Sequence, residues 1–186
     1  GAQNAFVNWE TPHVHPLDMT PNGAFLLAVN LPDNRLEVFD LQTGSPVHLA
    51  SIPVGLDPVS VRARSSSSVW VVNHVSDSIS LVDLTSSQVV GTLATDDEPC
   101  DVAFAGSPAR AFVTCSQANT VLVFDPSNLS SPPVRITLDA LFGLGTYNYM
   151  ADTLPSYIKG LRALFAIPKG DRVKGLSQLK TAADSS

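Results

Sequence analysis

The chain has 186 residues, of which 44% are hydrophobic and 15% are charged, and its formal net charge is −6. These proportions are typical of a folded domain rather than a disordered chain, because they supply enough apolar surface for a core. The acidic balance leaves no basic stripe for a phosphate backbone, so we expect no nucleic-acid partner. No apolar run reaches the roughly 18 residues that a spanning helix needs, so we expect no membrane span.

One motif recurs three times along the chain. Its copies, at 26–40, 69–83 and 111–125, read LLAVNLPDNRLEVFD, VWVVNHVSDSISLVD and AFVTCSQANTVLVFD. The aspartates that close them, Asp40, Asp83 and Asp125, are 43 and 42 residues apart. A four-stranded propeller blade uses about 40 to 45 residues, so we predict an all-β chain that forms a β-propeller array of four-stranded antiparallel blades.

In chain order, the pattern predicts a lead-in strand at 1–15 carried by Phe6, Val7 and Trp9, which either completes a neighbouring blade or packs on the first one. Blades follow at 16–55, 56–96 and 97–138. Alternating apolar residues and Gly, Pro, Asn or Ser turns divide each blade into four strands. The predicted strands are 17–19, 25–30, 35–40, 47–54, 59–63, 69–73, 78–83, 89–94, 102–105, 110–115, 120–125 and 134–138.

The third strand of each blade is apolar on both faces, as Val38 and Phe39 illustrate in the first. A sheet of this kind must be covered on both sides, which favours stacked blades over a single sheet. The remaining members of the two faces are Leu36, Ile79, Leu81, Val121 and Val123 on one side, and Val82 and Phe124 on the other.

The second strands resemble a known repeat. They read Leu27-Ala28-Val29-Asn30, Trp70-Val71-Val72-Asn73 and Phe112-Val113-Thr114-Cys115, similar to the Tyr-Val-Thr-Asn signature of YVTN-type β-propeller repeats. The resemblance covers about residues 15–138 and departs at Leu27, Ala28 and Cys115. It implies a propeller of seven or a similar number of blades from a bacterial or archaeal envelope protein, with no catalytic residues shared across the family. Together with the low lysine content, it leads us to expect a periplasmic, extracellular or cell-surface location.

The repeat is interrupted after Leu138. We interpret 139–159 as an irregular or helical insertion and 160–186 as the start of a further blade and a tail, with a helix over Ser177–Ala183. Three blades and a partial fourth do not close a ring, which would leave apolar blade faces exposed. We therefore expect further blades of the same propeller in a longer protein. The alternatives are a homo-oligomer that closes the ring and a different protein partner that caps it.

Polar residues gather where each blade begins and where its second strand ends, at the same end of the sheet. We call these the channel-end loops. Imidazoles can bind a transition metal, so His13, His15 and His74 are a candidate metal site, against the alternative of histidines bonded to loop backbone. Carboxylates and amides there could bind a ligand, or act as acid and base, or simply cap turns. The candidate binding residues are His13, His15, Asp57, Asn73, His74, Asp77 and Asp101, with Glu98, Asn30, Asn34 and Asn119 in similar positions.

The two cysteines fall on neighbouring strands of the third blade. If the hairpin turns through Gly106–Ala109, counting outward from it pairs Cys100 with Cys115. Cross-strand Cβ atoms lie about 4.5 to 5.5 Å apart, slightly beyond the roughly 4 Å of a disulfide. A disulfide and two free thiols are therefore both open interpretations.

No Gly-x-Ser-x-Gly, phosphate-binding loop, dinucleotide-binding motif or haem-attachment motif is present, so no motif indicates a cofactor. We predict a non-catalytic binding or scaffold segment of a cell-envelope or secreted protein, which presents its channel-end loops to a protein or small ligand. One alternative is a metal- or cofactor-dependent oxidoreductase or hydrolase that uses the channel-end His and Asp residues. The other is a purely structural assembly unit.

Overall fold

The computed structural model describes residues 11–138, 171, 173–177 and 180. The described chain folds as three four-stranded antiparallel sheets, in each of which consecutive strands are neighbours. The first sheet comprises β1 (Leu17–Met19), β2 (Phe25–Asn30), β3 (Arg35–Asp40) and β4 (Val47–Pro53). The second comprises β5 (Pro58–Ala63), β6 (Ser68–Asn73), β7 (Ser78–Asp83) and β8 (Gln88–Ala94). The third comprises β9 (Pro99–Ala105), β10 (Arg110–Cys115), β11 (Thr120–Phe124) and β12 (Val134–Thr137).

These sheets are blades 1, 2 and 3 of the predicted array, and the predicted strands agree with the observed ones to within three residues at each end. The turn chemistry explains the breaks between strands. Gly23 and Gly106 adopt positive φ angles of 68° and 89°, a region that glycine enters without steric cost. The Ser107–Pro108 peptide in the second of these turns is cis.

The end of the predicted lead-in, at residues 14 and 15, pairs with blade 2 and not with blade 1. Val14 N donates to Val59 O at 3.0 Å and Val61 N donates to His15 O at 2.9 Å, so this segment runs parallel to the inner strand of blade 2. Phe6, Val7 and Trp9, the predicted lead-in strand, lie outside the described residues. So does the predicted insertion at 139–159.

The hydrophobic core lies between neighbouring blades, so a blade face is buried only where another blade covers it. In blade 2, Trp70 and Val72 on one face and Val69 and Val71 on the other are all at most 1% exposed. Trp70 packs edge-on against two rings of blade 3, with centroid distances of 5.2 Å to Phe104 and 6.3 Å to Phe124. The middle blade is therefore covered on both faces, as the sequence pattern predicted.

The outer blades are covered on one face each. Blade 1 buries Leu27 and Leu36 completely, whereas Phe39 on its other face is half-buried. In blade 3, Leu122 and Phe124 are buried, and Val121 and Val123 on the opposite face are half-buried. Each outer blade thus presents one face that no described sheet covers.

Residues 173–177 and 180 are helical. They overlap the predicted helix at Ser177–Ala183, whose other residues lie outside the described part of the chain. Within the described residues, no helix is both long and apolar enough to cross a membrane. Residues 160–170, within the predicted start of a further blade, also lie outside the described residues.

Candidate functional site

The channel-end loops are held by a hydrogen-bond frame that repeats from blade to blade. Asn34 and Asp77, in the turns between second and third strands, adopt positive φ angles of 54° and 45°. Their side chains then reach the segment that crosses to the next blade. Asn34 Oδ1 accepts from Asp57 N at 2.7 Å, and Asp77 Oδ1 accepts from Glu98 N at 2.9 Å. Asp77, predicted as a binding residue, therefore caps a backbone N–H group, as Asx side chains commonly do in turns.

The residues that receive these caps also turn the chain sharply. Asp57 and Glu98 have positive φ angles of 58° and 54°. Their carbonyl groups accept backbone hydrogen bonds at 2.9 Å from His74 N and Ser116 N, respectively. Equivalent residues thus make equivalent backbone contacts at both junctions between blades. Differences between the junctions must arise from their side chains.

A cavity of about 340 Å³ opens between the channel-end loops of blades 1 and 2. Its apolar walls are Leu31, Pro32, Leu56 and Val75, and its polar groups include Asp57 and Asn34. Leu56 and Val75 are 54% and 60% exposed, so these two walls are open to solvent. We call this cavity the channel-end pocket.

Asp57 is the chemically distinctive residue of the channel-end pocket. The residue is only 8% exposed, and its Oδ2 atom is buried without a hydrogen-bond partner among the described residues. Buried carboxylates are normally paired, because an uncompensated charge in a poorly solvated site is costly. Asn34 Oδ1 does not compensate it, since that oxygen is an acceptor and already receives Asp57 N.

The three predicted metal-binding histidines have separate environments. His13 is exposed, and His15 is part of the parallel backbone pairing with blade 2. The ring of His74 lies against the first strand of blade 3, with Nδ1 3.0 Å from Pro99 O. In the described part of the chain, no three His, Cys, Asp or Glu side chains are arranged to hold a metal ion. The predicted convergence of His13, His15 and His74 into a ligand set is therefore not found.

Asn73, another predicted binding residue, is fully buried. Its Nδ2 atom donates to Ser78 Oγ at 3.2 Å and to Ser80 Oγ at 3.0 Å. Gly55 lies directly over it, because a Cβ atom at Gly55 would be 2.5 Å from Asn73 Nδ2. The crossing segment therefore closes Asn73 off from solvent, and its Oδ1 atom, like Asp57 Oδ2, is buried without a partner among the described residues. This amide supports the loops instead of facing a ligand.

Asp101 lies in β9 and is engaged by the inner strand of blade 2. Arg62 donates to its two oxygens at 3.2 and 2.8 Å, and Ser60 Oγ donates to Oδ1. Partial burial raises the pKa of Asp101, but the hydrogen bonds from Arg62, Ser60 and Val102 N outweigh burial and lower it overall. Asp101 is therefore an ionised structural carboxylate that ties two inner strands together. Sequence reasoning missed Arg62, its partner 39 residues earlier.

The cysteine pairing expected from the hairpin is off by one position. Val113 faces Val102 and Thr114 faces Asp101, but a bulge follows and Cys115 faces Pro99. Both cysteines are free thiols, with Cys100 Sγ donating to Glu98 O at 3.4 Å. Burial raises the pKa of the Cys115 thiol. The extra residue in β9 breaks the pairing on which the disulfide interpretation depended.

No protein-family model matches the sequence, and no curated protein matches it. Among solved structures, the chain is similar to hydrazine synthase from Kuenenia stuttgartiensis, with a TM-score of 0.57 and 22% identity over 72% of this chain. It is also similar to dihydro-heme d1 dehydrogenase NirN in complex with DHE, with a TM-score of 0.54 and 20% identity over 67% of this chain. The chain spans 38% and 28% of the lengths of these two proteins. At such identities the likeness concerns the fold, and with the three blades it defines the chain as a partial β-propeller.

Proposed function

We propose that this chain is a non-catalytic binding segment of a larger β-propeller in a secreted or cell-envelope protein, and that its channel-end loops receive a ligand. The observation that carries the proposal is the channel-end pocket. It is an open cleft of about 340 Å³, and its apolar side chains beside the acidic residue Asp57 give it the mixed lining that ligand sites use. The resemblance to YVTN-type repeats supports the proposed location and the further blades.

The chemistry of the pocket favours binding over catalysis. Among its described lining residues, Asp57 is the sole titratable side chain. A nucleophile is usually activated by a base within hydrogen-bond reach. His74, which follows the second strand of blade 2 at the same end of the sheet, directs Nδ1 at a backbone carbonyl of blade 3.

The proposal is tested by mapping small probes onto the 186-residue chain by two-dimensional NMR. n-Pentylamine, n-pentanol and pentanoate, which share an alkyl chain and differ in head group, are titrated separately. We expect at least one probe to shift the backbone amides of Leu31, Leu56 and Val75 saturably. If all three leave those amides unchanged, the channel-end pocket is not a ligand site and the proposal is wrong.

A second candidate is an enzyme whose complete propeller holds a cofactor. It is favoured by the names of the two similar structures, a synthase and a dehydrogenase solved in complex with DHE. On this alternative, alanine variants of His74 and Asp77 in the longer protein would abolish a turnover. Under the binding proposal any loss of turnover in those variants is accompanied by a loss of structure measured by circular dichroism, because both residues support loops.

A further inference from the structure

The two junctions between blades provide an internal comparison for Asp57. Following the spacing of the repeat, Glu98 occupies the same place at the junction of blades 2 and 3. The two residues share a positive φ angle, a capped N–H group and a carbonyl that accepts from the end of the next second strand. The repeat thus holds two acidic side chains in the same backbone setting. One of them is paired and the other is not.

The side-chain partner of Glu98 is the hydroxyl of Ser116, whose Oγ lies 3.2 Å from Glu98 Oε2 and 3.2 Å from Glu98 O. The residue equivalent to Ser116 beside Asp57 is His74, 42 residues earlier. His74 brings no such hydroxyl, and its Nδ1 faces Pro99 O at 3.0 Å. Asp57 therefore lacks the side-chain donor that Glu98 has. Its Oδ2 atom remains buried without a partner among the described residues.

The side chains around the two carboxylates also differ, because they are apolar beside Asp57 and polar beside Glu98. Leu56 and Val75 line the channel-end pocket, and the repeat places Asp97 and Gln117 at the corresponding positions of the next junction. An unpaired carboxylate within apolar walls is therefore a feature of this junction that the next junction does not share. The propeller fold accommodates both arrangements.

Such a site selects its ligand by charge and shape. An ammonium group carries a positive charge, three donors and no acceptor, so it complements a carboxylate that has no cationic partner among the described residues. The walls formed by Leu56 and Val75 suit an alkyl chain attached to that ammonium group. A bare metal ion fits less well, because no group of three His, Cys, Asp or Glu ligands exists among the described residues. The net charge of −6 also favours the approach of a cation.

We propose that the channel-end pocket binds a small primary alkylamine in its protonated form. The ammonium group pairs with the carboxylate of Asp57, and the alkyl chain lies between Leu56 and Val75. This inference rests on the proposed binding function and specifies the chemical class of its ligand. It also assigns the selectivity to one residue of the pocket.

The experiment compares the affinity of n-pentylamine for the whole chain with the affinities of n-pentanol and pentanoate, each measured by NMR titration at neutral pH. Wild type is compared with Asp57→Asn, which keeps the size of the side chain and removes its charge, and with Glu98→Gln as the matched control. We expect n-pentylamine to bind wild type about tenfold more tightly than n-pentanol, as one charge-assisted hydrogen bond would provide. We expect Asp57→Asn to remove that preference and Glu98→Gln to preserve it.

A second variant guards against a folding defect in Asp57→Asn. Val75→Gln places the residue of the next junction at a side chain that is 60% exposed, so the fold should tolerate it. It should still weaken n-pentylamine binding severalfold by making one wall polar. If n-pentanol binds as tightly as the amine and Asp57→Asn changes nothing, the amine inference is wrong while the binding function stands. If no probe shifts the channel-end amides, both proposals fail together.

Discussion

One face of blade 3 is uncovered by the described sheets, whereas the equivalent face of blade 1 is covered by blade 2. We therefore predict that truncating the leucine of blade 1 lowers the free energy of unfolding more than truncating the larger phenylalanine at the equivalent position of blade 3. Leu27, Trp70 and Phe112 occupy equivalent places in the second strands of blades 1, 2 and 3. Leu27 and Trp70 are 0% and 1% exposed because the next blade covers them. Phe112 is half-buried, since no described sheet lies over its face. Truncating a buried leucine to alanine costs about 2 to 5 kcal/mol, and a buried tryptophan about 3 to 5 kcal/mol.

For Phe112→Ala the expected cost is smaller. Only part of its side chain leaves water on folding, and full burial of a phenylalanine side chain is worth about 1.5 to 3 kcal/mol. A half-buried ring with an open face leaves little cavity behind, so we expect a loss of about 1 kcal/mol. Trp70→Ala should be the most damaging of the three, because it also removes the edge-on contacts with Phe104 and Phe124.

The assay is urea unfolding of the three alanine variants and wild type, followed by circular dichroism and by tryptophan fluorescence where Trp70 is retained. Val90→Ala, at a side chain that is 67% exposed in β8, is the control and should lie within about 0.5 kcal/mol of wild type. If Phe112→Ala costs as much as Leu27→Ala, the open face of blade 3 is covered in solution. The stacking argument would then be wrong.

Two further predictions concern the loops and the inner strands. Gly55→Ala should destabilise the chain by about 1 to 3 kcal/mol in the same urea assay, because its Cβ would lie 2.5 Å from Asn73 Nδ2. Gly91→Ala is the control and should be nearly neutral, because its Cβ would meet the end of the flexible Leu81 side chain at 3.3 Å. Because the pKa of Asp101 is lower in the folded chain than its ordinary value of 3.8, its contribution to stability is present above that value and lost as pH falls through the lowered pKa. The difference in urea midpoint between wild type and Asp101→Asn should therefore shrink between about pH 5 and pH 2, and a difference that stays constant would contradict the ion pair with Arg62.

The blades were predictable from the sequence because their signals are local and repeated. The recurring aspartates, the two-residue alternation and the Gly, Pro and Asn turns place each strand independently, and three copies correct one another. Arg35–Asp40 and Ser78–Asp83 accordingly match the predicted strands in full. The bulge before Cys115 has no such signal. One inserted residue shifts the pairing of everything beyond it, and alternation alone does not reveal the shift.

The candidate site was predictable only in part, because the burial and pairing of a polar residue depend on what crosses over it. Asn73 and Asp57 belong to similar loops and both look like channel-end ligands in the sequence. Gly55 covers the first, whereas the second remains beside a cavity. The sequence does not show that Arg62 pairs with Asp101, because the two residues lie on the inner strands of different blades and meet only in the folded chain.

Comparing the copies of a repeat helps to distinguish the residues that the fold requires from those that are free to serve a ligand. Positions that both junctions share, such as the capping side chains Asn34 and Asp77, serve the fold and therefore say little about a ligand. Positions where the two junctions differ are free of that requirement. His74, where the next junction has a serine, and Leu56, where it has an aspartate, are differences of this kind, and both lie beside Asp57. The selectivity of a propeller segment should therefore be sought where its blades differ, and in this chain that comparison leads to one unpaired carboxylate.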